Sequence, residues 1–504
     1  MKLPFSKPKF RLNFNLLKRL KISEKHIRLI TLVIIILLIS SGGYIYKTQL
    51  YKSYFSQFQK QQQDKYVLFL LEVYDKIVEN YWDKVDEEKL ANLYKLAAEK
   101  VSGKVYQLEI KKDALNTNNP VTGSAPLPTT EPTNKLVLEG SSPTDLKVKK
   151  ESKSKYSSPA KTALEKMLTG AIKEMDETKK KEFSVNVAAA VLANLQPFGR
   201  SGLFTTKQEE ELKNTVQNIN PGKDLYKDLG LQKGAPKEQV AEAAKQKQEE
   251  LKKQQSPEAK KELEKVAYAQ EVLTDQDKKQ RYDTKGVEPT VSFKFYTHDI
   301  VYLRFLKYSP TTYEEFVKVV ESFNKEGGPR ALIFDLRSNI GGAVDFVPFF
   351  LGNFLGKNQT AFELFQQGKY ESFKTTTDKL PWLARLRQVV IMVDNQTQSS
   401  AELMSSALKK YRFAVIVGEP TKGWGTIEKV FPLDNQIDQK EKYSMFLVHH
   451  ITIRDDGEPI EGKGVEPNIN IKSASVEDEL FTFFRYPEFG RAVKRALKEP
   501  VTLN

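Results

Sequence analysis

Apolar and polar positions divide this chain into distinct regimes. Residues 29–46, from Leu29 to Tyr46, form an almost unbroken apolar run of 18 residues, about enough for one helical bilayer crossing. Over residues 55–103 the apolar spacing becomes helical. Val67, Leu70, Leu71, Tyr74, Ile77, Val78 and Tyr81 recur at threes and fours, and a second helix is predicted from Asp86 with Leu90, Leu93, Ala97 and Val101 on one face. Residues 104–160 lose this period and are rich in Ser, Thr, Pro, Asn and Lys, which predicts a flexible linker or surface insertion. Helical spacing returns within 161–220, at Thr162 to Met175 and Phe183 to Leu195. Residues 221–287 predict a charged helical hairpin, with helices over Lys237 to Lys253 and Pro257 to Leu273. From 290 to 475 short apolar runs dominate, including Val301 to Leu306, Ala331 to Asp335 and Val389 to Val393. They predict buried strands of an α/β core, and residues 476–504 follow as a C-terminal extension.

Charge gives the apolar run a direction. The 504-residue chain has a net charge of +14, and residues 1–28 carry nine Lys or Arg against only Glu24. This basic tail is expected in the cytoplasm, with residues 29–46 as an uncleaved transmembrane helix and the body outside. A cleaved signal peptide, cut near Ser40, Ser41 and Gly42, is the alternative. The remaining basic balance shows no aromatic-basic array, so no nucleic-acid partner is expected. The absence of Cys excludes disulfides, zinc-thiolate sites and a cysteine nucleophile. No metal motif, phosphate loop or nucleotide fingerprint stands out, so no cofactor is expected.

The stretch Asn395-Gln396-Thr397-Gln398-Ser399-Ser400-Ala401-Glu402 follows the apolar run Val389 to Val393 and precedes an amphipathic segment containing Leu403, Met404, Ala407, Leu408 and Tyr411. A small hydroxyl residue at such a strand-to-helix turn is where hydrolases often mount a nucleophile. A serine there is also a common helix cap. Three further blocks raise the first reading: Phe334-Asp335-Leu336-Arg337-Ser338-Asn339-Ile340-Gly341-Gly342, Val417-Gly418-Glu419-Pro420-Thr421-Lys422-Gly423-Trp424-Gly425-Thr426, and Gly457-Glu458-Pro459-Ile460-Glu461-Gly462-Lys463-Gly464-Val465-Glu466-Pro467. In this order and spacing the set resembles the C-terminal processing (tail-specific) serine peptidases. The resemblance implies a crotonase-like α/β core with Ser399 as nucleophile and an oxyanion hole from backbone N–H groups at Gly341, Gly342 and Ser400. An unfolded protein or C-terminal peptide would be the substrate. Asp335 and Glu402 are expected to orient structure rather than transfer protons.

The pattern departs from the family at one position. The expected base is a Lys between two glycines, and here that residue is Trp424, whose indole cannot accept a proton from Ser399. Lys422, two residues upstream on the same face of an extended strand, is the leading substitute. It would need an apolar pocket to lower its pKa. A histidine is a second option among His298, His449 and His450, since His26 precedes the apolar run. His449 and His450 are adjacent on a strand-like run and are expected on opposite faces. The third reading is a pseudopeptidase that binds extended peptides without cutting them.

Residues 195–210 resemble the family's segment ahead of its PDZ domain, but the PDZ carboxylate-binding loop is absent. Asp224-Leu225-Tyr226-Lys227-Asp228-Leu229-Gly230, Ala267-Tyr268-Ala269-Gln270-Glu271-Val272-Leu273 and Gln280-Arg281-Tyr282-Asp283 instead resemble a J-domain. Its His-Pro-Asp tripeptide is missing, the chain reading Gln254-Gln255-Ser256-Pro257 there. Residues 221–287 are therefore expected to be a spacer or a module that docks a protein partner.

Overall fold

A computed structural model describes residues 64–110 and 158–501, apart from 255, 325–327, 455 and 485. The basic tail, the expected transmembrane run 29–46 and most of the expected linker lie outside the described residues. No helix among the described residues is long and apolar enough to cross a membrane. Residues from Lys65 onward form one compact unit.

Four helices open this unit: α1 (Lys65–Asn80), α2 (Glu87–Ser102), α3 (Pro159–Ile172) and α4 (Glu177–Ala193). Their starts are local chemistry. Asp86, Ser158 and Asp176 each accept a backbone N–H from the first turn, and Pro159 occupies a position where no donor is needed. Phe69, Tyr74, Ile77, Tyr94, Leu168 and Val191 fill the space between the helices. The same core reaches Met445, Leu447 and Val448 on a sheet below. α3 begins at Pro159, capped by Ser158, just inside the span 104–160 expected as a linker.

After β1 (Gly202–Thr205) and α5 (Thr206–Gln217), the predicted helical module appears as α6 (Leu225–Asp228), α7 (Lys237–Lys252), α8 (Pro257–Thr274) and α9 (Gln276–Lys285). It has a small core of its own, including Leu225, Tyr226, Val240, Val266, Ala269 and Leu273. Its entry and exit are stitched together. Ile219 bridges Val287, and Asn218 Nδ2 donates to the carbonyls of Glu288 and Pro289 at 2.9 and 3.1 Å.

The core follows as β2 (Val291–Thr297), β3 (Ile300–Phe305), α10 (Pro310–Ser322), β4 (Ala331–Asp335), α11 (Val347–Leu355), β5 (Thr360–Gln366), β6 (Lys369–Lys374), α12 (Pro381–Ala384), β7 (Gln388–Val393), α13 (Ser400–Lys410), β8 (Val415–Gly418), β9 (Thr426–Pro432), β10 (Tyr443–Ile453), β11 (Ile469–Asn470), α14 (Val476–Phe483) and α15 (Pro487–Lys498). A six-stranded sheet runs β11-β8-β7-β4-β3-β2. It is parallel except for β2 at one end. β3 and β4 are buried along their whole length, as a parallel sheet covered on both faces requires. One face packs Phe305, Phe316, Phe334, Phe350 and Phe354 under α10, α11 and α13; the other meets Phe489 and Val493 of α15. Burying each such side chain stabilises the fold by about 1.5–3 kcal/mol. A second sheet runs β1-β10-β5-β6, with β9 also paired to β10.

One expectation about β10 is overturned. The β9–β10 register slips between Val448 and His450, and this bulge brings the imidazoles of His449 and His450 together instead of sending them to opposite faces. Their Nδ1 atoms lie 2.8 Å apart. A bulge adds one residue to one strand and cancels the alternation there.

Candidate active site

Loops from the C-terminal ends of β4, β7 and β8 meet at one edge of the parallel sheet, where open α/β sheets place their ligands. The β4 end is fixed first. The Asp335 carboxylate receives the Arg337 guanidinium at 2.7 Å and the Tyr302 hydroxyl at 2.6 Å, all buried. Asp335 is therefore a strand-end anchor. Buried Asn339 then shapes the glycine loop: its Nδ2 donates to Phe305 O at 3.0 Å, its Oδ1 accepts from Gly341 N–H at 2.9 Å, and its carbonyl accepts from Gln398 N–H at 3.0 Å. Asp394 at the end of β7 accepts from the backbone and hydroxyl of Ser338 at 2.8 and 3.0 Å, and from Thr397 N–H at 2.9 Å. The first two loops are thus locked to each other.

Ser399 closes the β7 turn with φ 56° and ψ −122°, a conformation that side-chain-bearing residues rarely take. Such strain costs about 1–3 kcal/mol and persists only where the surroundings over-determine it. Glu402 supplies that constraint. Its buried carboxylate accepts from Ser399 N–H at 2.8 Å, Trp424 N–H at 2.9 Å, Gly423 N–H at 2.7 Å and the Thr421 hydroxyl at 2.5 Å. Burial pushes the Glu402 pKa up, and these four donors pull it part of the way back. The serine turn and the 421–424 loop therefore share one carboxylate.

The glycines allow the close approach. A Cβ on Gly341 would fall 2.6 Å from Ser399 Cβ, and one on Gly342 would fall 2.1 Å from the Tyr308 carbonyl oxygen. Their N–H groups differ, however. That of Gly341 is engaged by Asn339, whereas those of Gly342 and Ser400 have no acceptor among the described residues. Ser400 Oγ donates to the Gly342 carbonyl at 3.0 Å and ties these two donor segments together. Of the three expected oxyanion-hole positions, Gly342 and Ser400 thus have N–H groups to offer, and Gly341 gives access.

Trp424 is braced on edge and face. Its indole N–H donates to Glu428 Oε1 at 3.1 Å, and the Arg200 guanidinium lies 3.5 Å above its ring, a cation–π contact. Arg200 in turn donates twice to Glu461 Oε1, at 3.0 and 3.1 Å, and Glu461 Oε2 accepts from Gly425 N–H at 2.7 Å. Burial raises the Glu428 pKa against its hydrogen bonds from Thr426 and Trp424. Lys422 places Nζ 5.2 Å from the centroid of the same indole, but its side chain is exposed rather than enclosed in an apolar pocket.

The histidines divide. His298 is exposed in the β2–β3 turn, at the N-terminal end of β3 and so across the sheet from the serine loop. His449 contacts Phe431 and Gln366, and no hydrogen bond or ring contact among the described residues joins it or His450 to Ser399. Sequence reasoning missed Asn339, Asp394, Arg200, Glu428 and Glu461. Only Asn339, two residues ahead of the double glycine, carried a local clue.

A strained serine on a strand-to-helix turn, with two free N–H donors beside it, has the arrangement of an α/β serine hydrolase site. Residues 299–471 match the sequence profile of peptidase family S41, and this stretch is a peptidase family S41 domain. The chain is 26% identical over 209 residues to the carboxy-terminal processing protease CtpB of Bacillus subtilis strain 168, covering 41% of this chain and 38% of that protein. It is 27% identical over 188 residues to CtpA of the same organism, covering 37% and 38%. The chain thus spans less than half the length of these relatives. Among solved structures it is similar to a photosystem II D1 C-terminal processing protease, at 18% identity and a TM-score of 0.32, with 37% and 50% coverage.

Proposed function

We propose that this chain is a membrane-anchored serine peptidase of the C-terminal processing type that cuts unfolded or C-terminal segments of proteins outside the cytoplasm. The observation that carries the reading is strained Ser399 held beside the free N–H groups of Gly342 and Ser400. Ser399 Oγ attacks the peptide carbonyl as a base takes its proton, and the two N–H groups hold the oxyanion. The leaving amine takes that proton and departs, giving an acyl ester on Ser399. Water then loses a proton to the same base and attacks the ester; Ser399 Oγ takes that proton back as its bond to the acyl carbon breaks, releasing the acid. Lys422 is the base in this reading, with bound substrate covering the exposed amine and excluding water from it.

The basic tail and the run 29–46 support an anchor with the N-terminus in the cytoplasm. The helical module acts as a spacer or partner-docking element. The test is labelling of the full chain by a serine-directed fluorophosphonate. Labelling that disappears in Ser399→Ala supports the peptidase. A protein that binds peptides but never labels would be the non-catalytic scaffold that Trp424 at the base position suggests.

A further inference from the structure

Where the stem of the helical module meets the core there is a polar cavity of about 360 Å³. Asn214 and Thr215 of α5, Asn220 of the stem, Tyr268 of α8, Glu288 and Lys307 line it. Lys307 is the unusual member. Its side chain is only 9% exposed, its ammonium donates to the Thr215 carbonyl at 2.6 Å, and it forms no ion pair among the described residues. An ammonium has three donors, so two are left without an acceptor in a space roomy enough to hold one. Burial lowers the Lys307 pKa, and nearby Glu288 partly offsets this. Glu288 is already matched by Lys223 at 3.0 Å and the Tyr268 hydroxyl at 2.7 Å. Glu211 at the rim lies 3.8 Å from Lys207.

We propose that this cavity receives the C-terminal carboxylate of a peptide substrate, with Lys307 as its counter-ion, an inference that rests on the peptidase reading of Ser399. A carboxylate brings the acceptors that the buried ammonium lacks, and charged hydrogen bonds of this kind are the strong ones. The amides of Asn214 and Asn220 suit the last peptide groups of a chain. The location couples the cavity to the serine. Lys307 precedes Tyr308, whose N–H donates to Gly341 O at 2.8 Å, and Gly341 packs directly on Ser399. Bond lengths along that path hold Lys307 Nζ within about 20 Å of Ser399 Oγ. An extended peptide covers that distance in about six residues, so about six residues ahead of a seated carboxylate suffice to reach Ser399.

The test uses the full chain carrying Ser399→Ala and a fluorescein-labelled ten-residue peptide of Ala, Leu, Val and Ser, followed by fluorescence anisotropy. One form ends in a free carboxylate and the other in a carboxamide. The acid is expected to bind about tenfold or more tightly than the amide, and Lys307→Met is expected to bring the two within about twofold of each other. Should Lys307→Met not fold, Asn214→Asp, which puts a carboxylate on the cavity wall, is expected to abolish the preference in the same way. Equal binding of acid and amide, binding of neither, or a preference that survives both variants overturns the proposal. Fluorophosphonate labelling of unaltered Ser399 needs no C-terminal carboxylate, so it reports on the peptidase reading separately.

Discussion

Replacing Glu402 by Gln perturbs the site at its most connected point. Each carboxylate oxygen accepts two donors: Oε1 takes the Thr421 hydroxyl and Gly423 N–H, and Oε2 takes Ser399 N–H and Trp424 N–H. An amide keeps one acceptor, so whichever way the new side chain turned, two donors would face an NH₂ group. Two lost hydrogen bonds to a charged group cost about 3–6 kcal/mol in all. The strain at Ser399, about 1–3 kcal/mol, is then free to relax by moving the serine. In Glu402→Gln, urea unfolding is expected to show a loss of about 3 kcal/mol or more, and fluorophosphonate labelling of Ser399 to slow by about 100-fold. A variant within about 1 kcal/mol of the parent that still labels at the parental rate would show that the serine turn holds without the shared carboxylate.

Other perturbations have equally defined outcomes. Gly342→Ala drives a Cβ to 2.1 Å from the Tyr308 carbonyl and should abolish labelling, while Gly222→Ala, whose Cβ meets only Asn220 Oδ1 at 3.6 Å, should leave it intact. Burial, helped by the charge of Lys429, holds His449 at about 3 and His450 at about 4, below the ordinary 6.5. Unfolding takes up protons at these groups as the pH falls, so their stability is fully present above about pH 6.5 and is lost toward pH 4. Denaturant midpoints across that range should fall less steeply for His450→Gln than for the parent. Arg281 joins α9 to α10 through Glu315 at 2.9 Å and Glu314 at 3.6 Å. Arg281→Ala should cost about 1–3 kcal/mol and speed amide hydrogen exchange in residues 221–287.

What the sequence revealed follows the range of the forces involved. The strands β3, β4 and β7 and helix α13 were legible because period and turn residues are local, and the Ser399 turn came with them. The helical module was legible for the same reason, with α7 and α8 within a residue of their expected ends. Contacts between distant segments left no such trace. Nothing near Trp424 announces that Arg200, 224 residues earlier, will stack on it, or that Glu461 will hold Arg200 in place. The His449–His450 pairing depends on a bulge, which simple alternation cannot predict. That the N–H groups of Gly342 and Ser400 are free while that of Gly341 is engaged by Asn339 also needed the fold, since it is a matter of loop geometry.

Proteolysis of unfolded casein by the full chain, run beside Ser399→Ala, Lys422→Ala and Trp424→Lys, decides whether Ser399 and Lys422 act together as a peptidase. Cleavage by the parent and its loss in both alanine variants are expected. A parent that leaves casein intact, with cleavage appearing only in Trp424→Lys, would overturn the Ser399–Lys422 mechanism and identify a peptidase fold disarmed at residue 424.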